Sequence, residues 1–242
     1  MKTLSRLALT AISAPLLLSL AACGSNEIEG DAIDPIAAPE GSTWNGTATV
    51  TDLGGIMVGN PDAPVKLVEY ASHTCSACAN FAADSTALDS YIESGVVSFE
   101  MRNQVHDPID LTVATLVRCG DPVTAVPLAK QVWQNLNSVI QNAQANGERL
   151  QAAMELEDDS RFLAIGQESG LLEFFAQRGI SVDQATQCLS NPEVPRSIVE
   201  NSAIQSDELG VTGTPTFFLN GNKLDGTSWA VVETALQTAG AR

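Results

Sequence analysis

The chain has 242 residues, 44% of them hydrophobic and 17% charged, enough to bury a core in one large domain or two small ones. Its net charge is −17 and no basic residues cluster, which argues against a nucleic-acid-binding surface and fits a solvated acidic exterior. Five cysteines, an odd number, need explaining in an exported protein.

The N-terminus reads as a targeting segment. Lys2 and Arg6 precede an apolar run from Leu7 to Leu20, interrupted by Pro15 and too short to span a bilayer comfortably. It ends in Leu20-Ala21-Ala22-Cys23, which resembles a bacterial lipobox; an ordinary signal peptide with a chance cysteine is the alternative. On the lipobox reading, residues 1–22 are a lipoprotein signal peptide and Cys23 carries the lipid, which leaves an exported chain on the periplasmic face. Gly24, where inner-membrane retention uses Asp, favours the outer membrane. Residues 23–46, rich in Gly, Ser, Asn, Asp, Glu and Pro and without a period, read as a flexible tether.

Thr47–Thr51 and Ile56–Val58 have the character of a first pair of strands, followed by a turn cluster from Gly59 to Pro64. Val65–Ala71 then reads as a strand buried on both faces, with the acidic Glu69 on the same face as Val65 and Leu67. Burial would hold that carboxyl protonated, unless it pairs with a base or reaches water. A helix is expected from Ser76 to about Ser94, ended by Gly95. Val97, Phe99 and Met101 alternate with Ser98, Glu100 and Arg102 as a half-buried strand. The β-α-β unit so formed is most simply parallel and right-handed.

Cys75-Ser76-Ala77-Cys78 lies where the strand turns into the helix. A Cys-x-x-Cys alone is weak; at the start of a helix after a buried strand it points to thiol–disulfide chemistry, because helix N-terminal amides stabilise a thiolate.

From 107 to 210 the pattern is helical. Asp107-Pro108 and Asp121-Pro122 begin two helices, the second carrying Val132, Trp133, Leu136 and Ile140. Ser160 is read as the cap of a third helix reaching Phe175, Ser181 as the cap of a fourth, and Asn191-Pro192 as the start of a fifth running to Leu209. Cys119 and Cys188 fall in this block and can form a structural bridge in an oxidising compartment, with a redox role as the alternative. Pro215–Leu219, Asn220-Gly221 and Asn222–Leu224 read as a hairpin, and Ser228 as the cap of a last helix. Thr214-Pro215, at the strand's start, is a candidate cis bond.

With the redox pair, the Gly213-Thr214-Pro215-Thr216-Phe217-Phe218 strand and the placement of the helical block together, the chain resembles the thioredoxin superfamily, and within it the DsbA-like thiol:disulfide oxidoreductases. The resemblance covers about residues 47–240. It implies an α/β fold: a thioredoxin-like core (47–106 and 211–242) with an all-helical insertion (107–210) between its β-α-β and β-β-α halves. It further implies that Cys75 is the nucleophile, Cys78 the buried resolving thiol and Pro215 a residue against the pair. The backbone of Thr214 would pair with substrate, and Glu69 matches the family's buried acid, a proton relay to Cys78. Substrates would be exported proteins, with a membrane redox partner regenerating the pair and no cofactor. Many oxidising members carry Pro-His between the cysteines; Ser76-Ala77 lacks that cation, so a milder oxidant is expected and a reductase or isomerase role stays open. His73 is either a partial substitute for that cation or a surface residue, and His106 is structural or exposed. Two readings rank lower: a soft-metal module using Cys75, Cys78 and His73, and a redox-inactive binding lipoprotein.

Overall fold

The computed structural model describes residues 30–242; Cys23 and the signal segment lie outside the described residues. Among the described residues the strands form one six-stranded sheet: β1 (Ala48–Val50), β2 (Ile56–Gly59), β3 (Val65–Ala71), β4 (Val97–Asn103), β5 (Thr216–Leu219) and β6 (Asn222–Lys223). They lie in the order β1-β2-β4-β3-β5-β6. β3 and β4 are parallel, from Val65 opposite Val97 to Ala71 opposite Asn103, and the other pairings are antiparallel. Parallel strands need a crossover, and α1 (Ser76–Asp84) and α2 (Leu88–Glu93) supply it.

The register puts Glu69 between Met101 and Phe217. On that face Phe81 of α1 lies against Phe217, ring centroids 4.4 Å apart, and the C-terminal helix Trp229–Thr238 packs on β5. On the other face Tyr70, Val211 and Phe218 form a smaller apolar cluster. Asn220 and Gly221, at φ +48° and +81°, make the hairpin turn, a conformation that the Asn-Gly pair adopts cheaply.

Between β4 and β5 the chain is helical: α3 (Pro108–Val117), α4 (Pro122–Gln134), α5 (Leu136–Ala145), α6 (Gly147–Met154), α7 (Asp158–Glu168), α8 (Leu171–Ala176), α9 (Val182–Leu189) and α10 (Glu193–Leu209); the C-terminal helix is α11. Asp107 and Asp121 cap α3 and α4 through their side chains, each with Pro at the first position. Helices expected to be continuous are broken. The crossover stops at Ser85, which is buried, and restarts at Leu88. Ser85 and Thr86 are residues whose hydroxyls compete with the helical backbone. Asn135 ends α4 and precedes α5, its Nδ2 donating to the Gln131 carbonyl. Gly170, at φ +73°, separates α7 from α8. The helix expected to start at Ser160 begins two residues earlier, at Asp158, and the Ser160 hydroxyl instead donates to the Glu157 carbonyl.

The tether reading also needs correction. From residue 30 the segment is fastened to the core: Ile33 N–H donates to the Gly240 carbonyl and Ile36 N–H to that of Ser94. Trp44 is buried, with its indole N–H on the Ile36 carbonyl. A tryptophan and two isoleucines give this polar stretch enough apolar surface to dock.

Candidate active site

β3 ends at Ala71 and α1 begins at Ser76, so residues 72–75 form a short loop that carries Cys75 as the N-cap of α1. The Cys78 backbone N–H donates to Cys75 Sγ at 3.4 Å, and the Cys75 thiol donates to the Thr214 carbonyl at 3.3 Å. Both thiols are free, Cys75 partly exposed and Cys78 buried, one helical turn further along. The Thr214–Pro215 peptide is cis and Pro215 is buried. A loop from the N-terminal half and a loop from the C-terminal half, 139 residues apart in sequence, thus meet at one sulfur.

The two thiols are electrostatically unlike. Burial opposes a Cys75 thiolate, but hydrogen bonds from Thr214 and from Cys78 and Ala77 outweigh it and hold the thiol below its ordinary range. Cys78 is pushed well up, first by burial and then by negative charge on Glu69. Glu69 is 2% exposed, and its Oε1 has no hydrogen-bond partner. Burial, reinforced by charge on Cys75, raises its carboxyl to about 8. The carboxyl faces a cavity of about 390 Å³ lined also by Phe81 of α1 and by Lys130 and Trp133 of α4. Lys130 Nζ lies 2.8 Å from Asp89 Oδ1, so the cation near the cavity is already paired.

A model of the thioredoxin family matches residues 51–238. The chain belongs to the thioredoxin family. Its fold is the DsbA-like form, in which helices separate the two halves of the core. A crystal structure named as a protein-disulfide isomerase from Novosphingobium aromaticivorans is 28% identical to this family member. It superposes with a TM-score of 0.68 over 75% of this chain and 94% of its own. The Wolbachia pipientis alpha-DsbA1 structure shares the fold at 21% identity and a TM-score of 0.61, over 76% of this chain and 89% of that one. A Rickettsia bellii protein named as a protein-disulfide oxidoreductase is 24% identical over 205 residues, which are 83% of this chain and 70% of that protein. A Rickettsia conorii relative of the same description is 27% identical over 190 residues, 78% of this chain and 61% of its own length. A thiol pair of unequal acidity in this thioredoxin setting is the equipment of a thiol:disulfide oxidoreductase.

The thioredoxin-type site brings Cys75, Cys78 and Thr214 together, with Pro215 adjoining Thr214 and with Glu69 electrostatically coupled to both thiols. His73 is placed differently from a surface residue. It is 1% exposed, stacked on Trp133 with centroids 5.7 Å apart and planes 16° apart, and Nδ1 lies 3.4 Å from Asp110 Oδ1. Among the described residues no group of three His, Cys, Asp or Glu side chains is gathered for a metal, so His73 does not complete a ligand set with the cysteines. His106 is exposed. Cys119 and Cys188 are joined to each other, tying the end of α3 to α9 across 69 residues.

Sequence reasoning missed the fastening of the active-site loop to the insertion. Asp110 accepts the backbone N–H groups of His73 (2.7 Å) and His106 (3.0 Å). Asp107 accepts the Thr74 hydroxyl at 2.9 Å while capping α3. Trp133 Nε1 donates to the Ser72 carbonyl at 3.0 Å. Burial would raise the Asp110 carboxyl, but hydrogen bonding and charge from His73 prevail and lower it. The Asp107-Pro108 cap was visible in sequence; its second partner, Thr74, was not. The Thr214 hydroxyl was missed too: it is buried and without a partner while the Cys75 thiol donates to the Thr214 carbonyl, and it is the donor that favours Cys75 as a thiolate.

Proposed function

We propose that the chain is an exported, lipid-anchored protein thiol oxidase that introduces disulfides into other exported proteins through a Cys75–Cys78 disulfide. The observation that carries this reading is the asymmetry of the pair: a half-exposed sulfur stabilised as a thiolate beside a buried one that resists ionisation. A substrate thiolate attacks Cys75 Sγ, the Cys75–Cys78 bond breaks, and the electron pair leaves on Cys78. Because Cys78 is a poor thiolate, it needs a proton, and a Glu69 carboxyl still protonated at neutral pH is the group that can supply it. A second substrate thiolate then attacks the substrate sulfur of the mixed disulfide. Cys75 departs as a stabilised thiolate, the substrate is oxidised by two electrons and the pair is reduced. The Thr214 backbone beside Cys75 is the edge on which an extended substrate would lie. A membrane redox partner would restore the Cys75–Cys78 disulfide, and Cys23 would hold the chain at the membrane, the outer one favoured.

The oxidised chain, mixed with a reduced unfolded substrate protein, should lose its Cys75–Cys78 disulfide as substrate disulfides appear in equal number. Failure to transfer the disulfide would refute oxidase function. A second reading, isomerase or reductase, is favoured by the name of the Novosphingobium structure. It requires that the reduced chain rescue a substrate with scrambled disulfides faster than the oxidised chain oxidises a reduced one.

A further inference from the structure

The seam between the core and the insertion holds a cation with no counter-ion among the described residues. Arg118 follows α3 and precedes Cys119. Desolvation alone draws its guanidinium down to about 10. Among the described residues, its recorded hydrogen bond is from Nη2 to Asn103 Oδ1, at 2.6 Å, and no carboxylate pairs with it. That bond fixes the Asn103 carboxamide, since turning it over would set NH2 against guanidinium. Asn103 is 8% exposed, and its Nδ2 is consequently a buried donor with no acceptor. Arg118 is partly exposed and has no carboxylate partner, while a buried donor such as Asn103 Nδ2 is ordinarily satisfied, so an anion beside the guanidinium would answer both.

Both residues line a small cavity of about 10 Å³ with Arg102, Asn201 and Gln205. The acceptors of the neighbouring Glu100 and Gln205 side chains are already engaged. Glu100 takes two hydrogen bonds from Arg102, each 2.8 Å. Gln205 Oε1 accepts from the Tyr70 hydroxyl at 2.7 Å and from Arg102 at 3.3 Å, while its Nε2 donates to the Leu53 carbonyl. Asn201 has a carboxamide that can turn its NH2 inward; Gly54 leaves room for it, because a Cβ there would fall 2.5 Å from Asn201 Nδ2. With Asn201 turned so, the N–H donors of Arg118, Asn103 and Asn201 outnumber the acceptors left at the cavity. A water would accept two of those N–H groups but find few acceptors for its own hydrogens; a monatomic anion has no hydrogens to place.

We propose that Arg118 and Asn103 Nδ2 bind one halide ion, chloride under ordinary conditions, as a fixed link between β4 of the core and α3 of the insertion. The cavity is too small for sulfate or phosphate. The chain's net charge of −17 opposes casual halide binding, so occupancy here would mark a built site.

Crystals of the unmodified chain soaked in bromide, with data collected at the bromine edge, should show an anomalous peak between the Arg118 guanidinium and Asn103 Nδ2. A site that holds only water gives no peak and overturns the proposal. In solution, the melting temperature in potassium chloride should exceed that in potassium gluconate of equal ionic strength by about 2–4 °C. The difference should vanish in Arg118→Met and shrink in Arg118→Lys, which keeps the charge if the first variant does not fold. Equal melting of the unmodified chain in the two salts would also overturn it.

Discussion

Replacing Glu69 by Gln should make the reduced chain markedly more stable at alkaline pH and leave it nearly unchanged near pH 5. The native carboxyl holds its proton up to about 8, whereas a free one releases it near 4.5. Between those values the native state binds more protons than the unfolded state, so the wild-type chain loses stability as pH rises. A separation of about 3.5 pH units corresponds to about 5 kcal/mol, of which about 4 kcal/mol falls between pH 5 and pH 9. Glutamine has no such titration, and the groups that do not interact with Glu69 contribute alike to both chains. Urea unfolding of both reduced proteins at pH 5 and pH 9 should therefore show the stability gap widening by about 4 kcal/mol in favour of the variant. A widening below about 1 kcal/mol would mean that Glu69 ionises freely, with water reaching it through the 390 Å³ cavity, and would refute its part as a proton donor to Cys78.

Three further outcomes follow from the site and its supports. Thr214→Val should raise the Cys75 thiol by removing one hydrogen bond to the charged sulfur, read from thiolate absorbance against pH; an unchanged titration would remove the hydroxyl from the account. Cys119→Ser with Cys188→Ser opens a closure spanning 69 residues and should cost about 4 kcal/mol in denaturant unfolding, while the chemistry at Cys75 persists. Trp133→Phe keeps a ring against His73 but leaves the Ser72 carbonyl without its donor, a loss of about 1–2 kcal/mol measurable in the same way.

The core was largely legible because its signals are local. Strand alternation in 97–102, the Asn220-Gly221 turn, the Asp-Pro caps at 107 and 121 and the Cys75–Cys78 spacing each reflect a short-range preference that the tertiary structure does not override. Glu69 was half legible: the strand pattern gave its burial, but only the packing of α4 over the sheet creates the cavity that it faces. The breaks at Ser85, Asn135 and Gly170 interrupt runs whose apolar spacing alone reads as continuous helix. His73 gave no sequence sign of burial, because what covers it is Trp133, sixty residues on. Trp44 did give a sign: one large aromatic in a polar stretch is costly to leave in water, and it marks where the segment fastens to the core.

The account rests most on Cys75–Cys78 being an oxidising pair, and its reduction potential, measured by equilibration against glutathione, tests that directly. A thiolate favoured at Cys75, without a cationic side chain between the cysteines, predicts a mild oxidant, with a value between about −200 and −120 mV. A potential at or below about −270 mV, where thioredoxin lies, would contradict the account and make the chain a reductase.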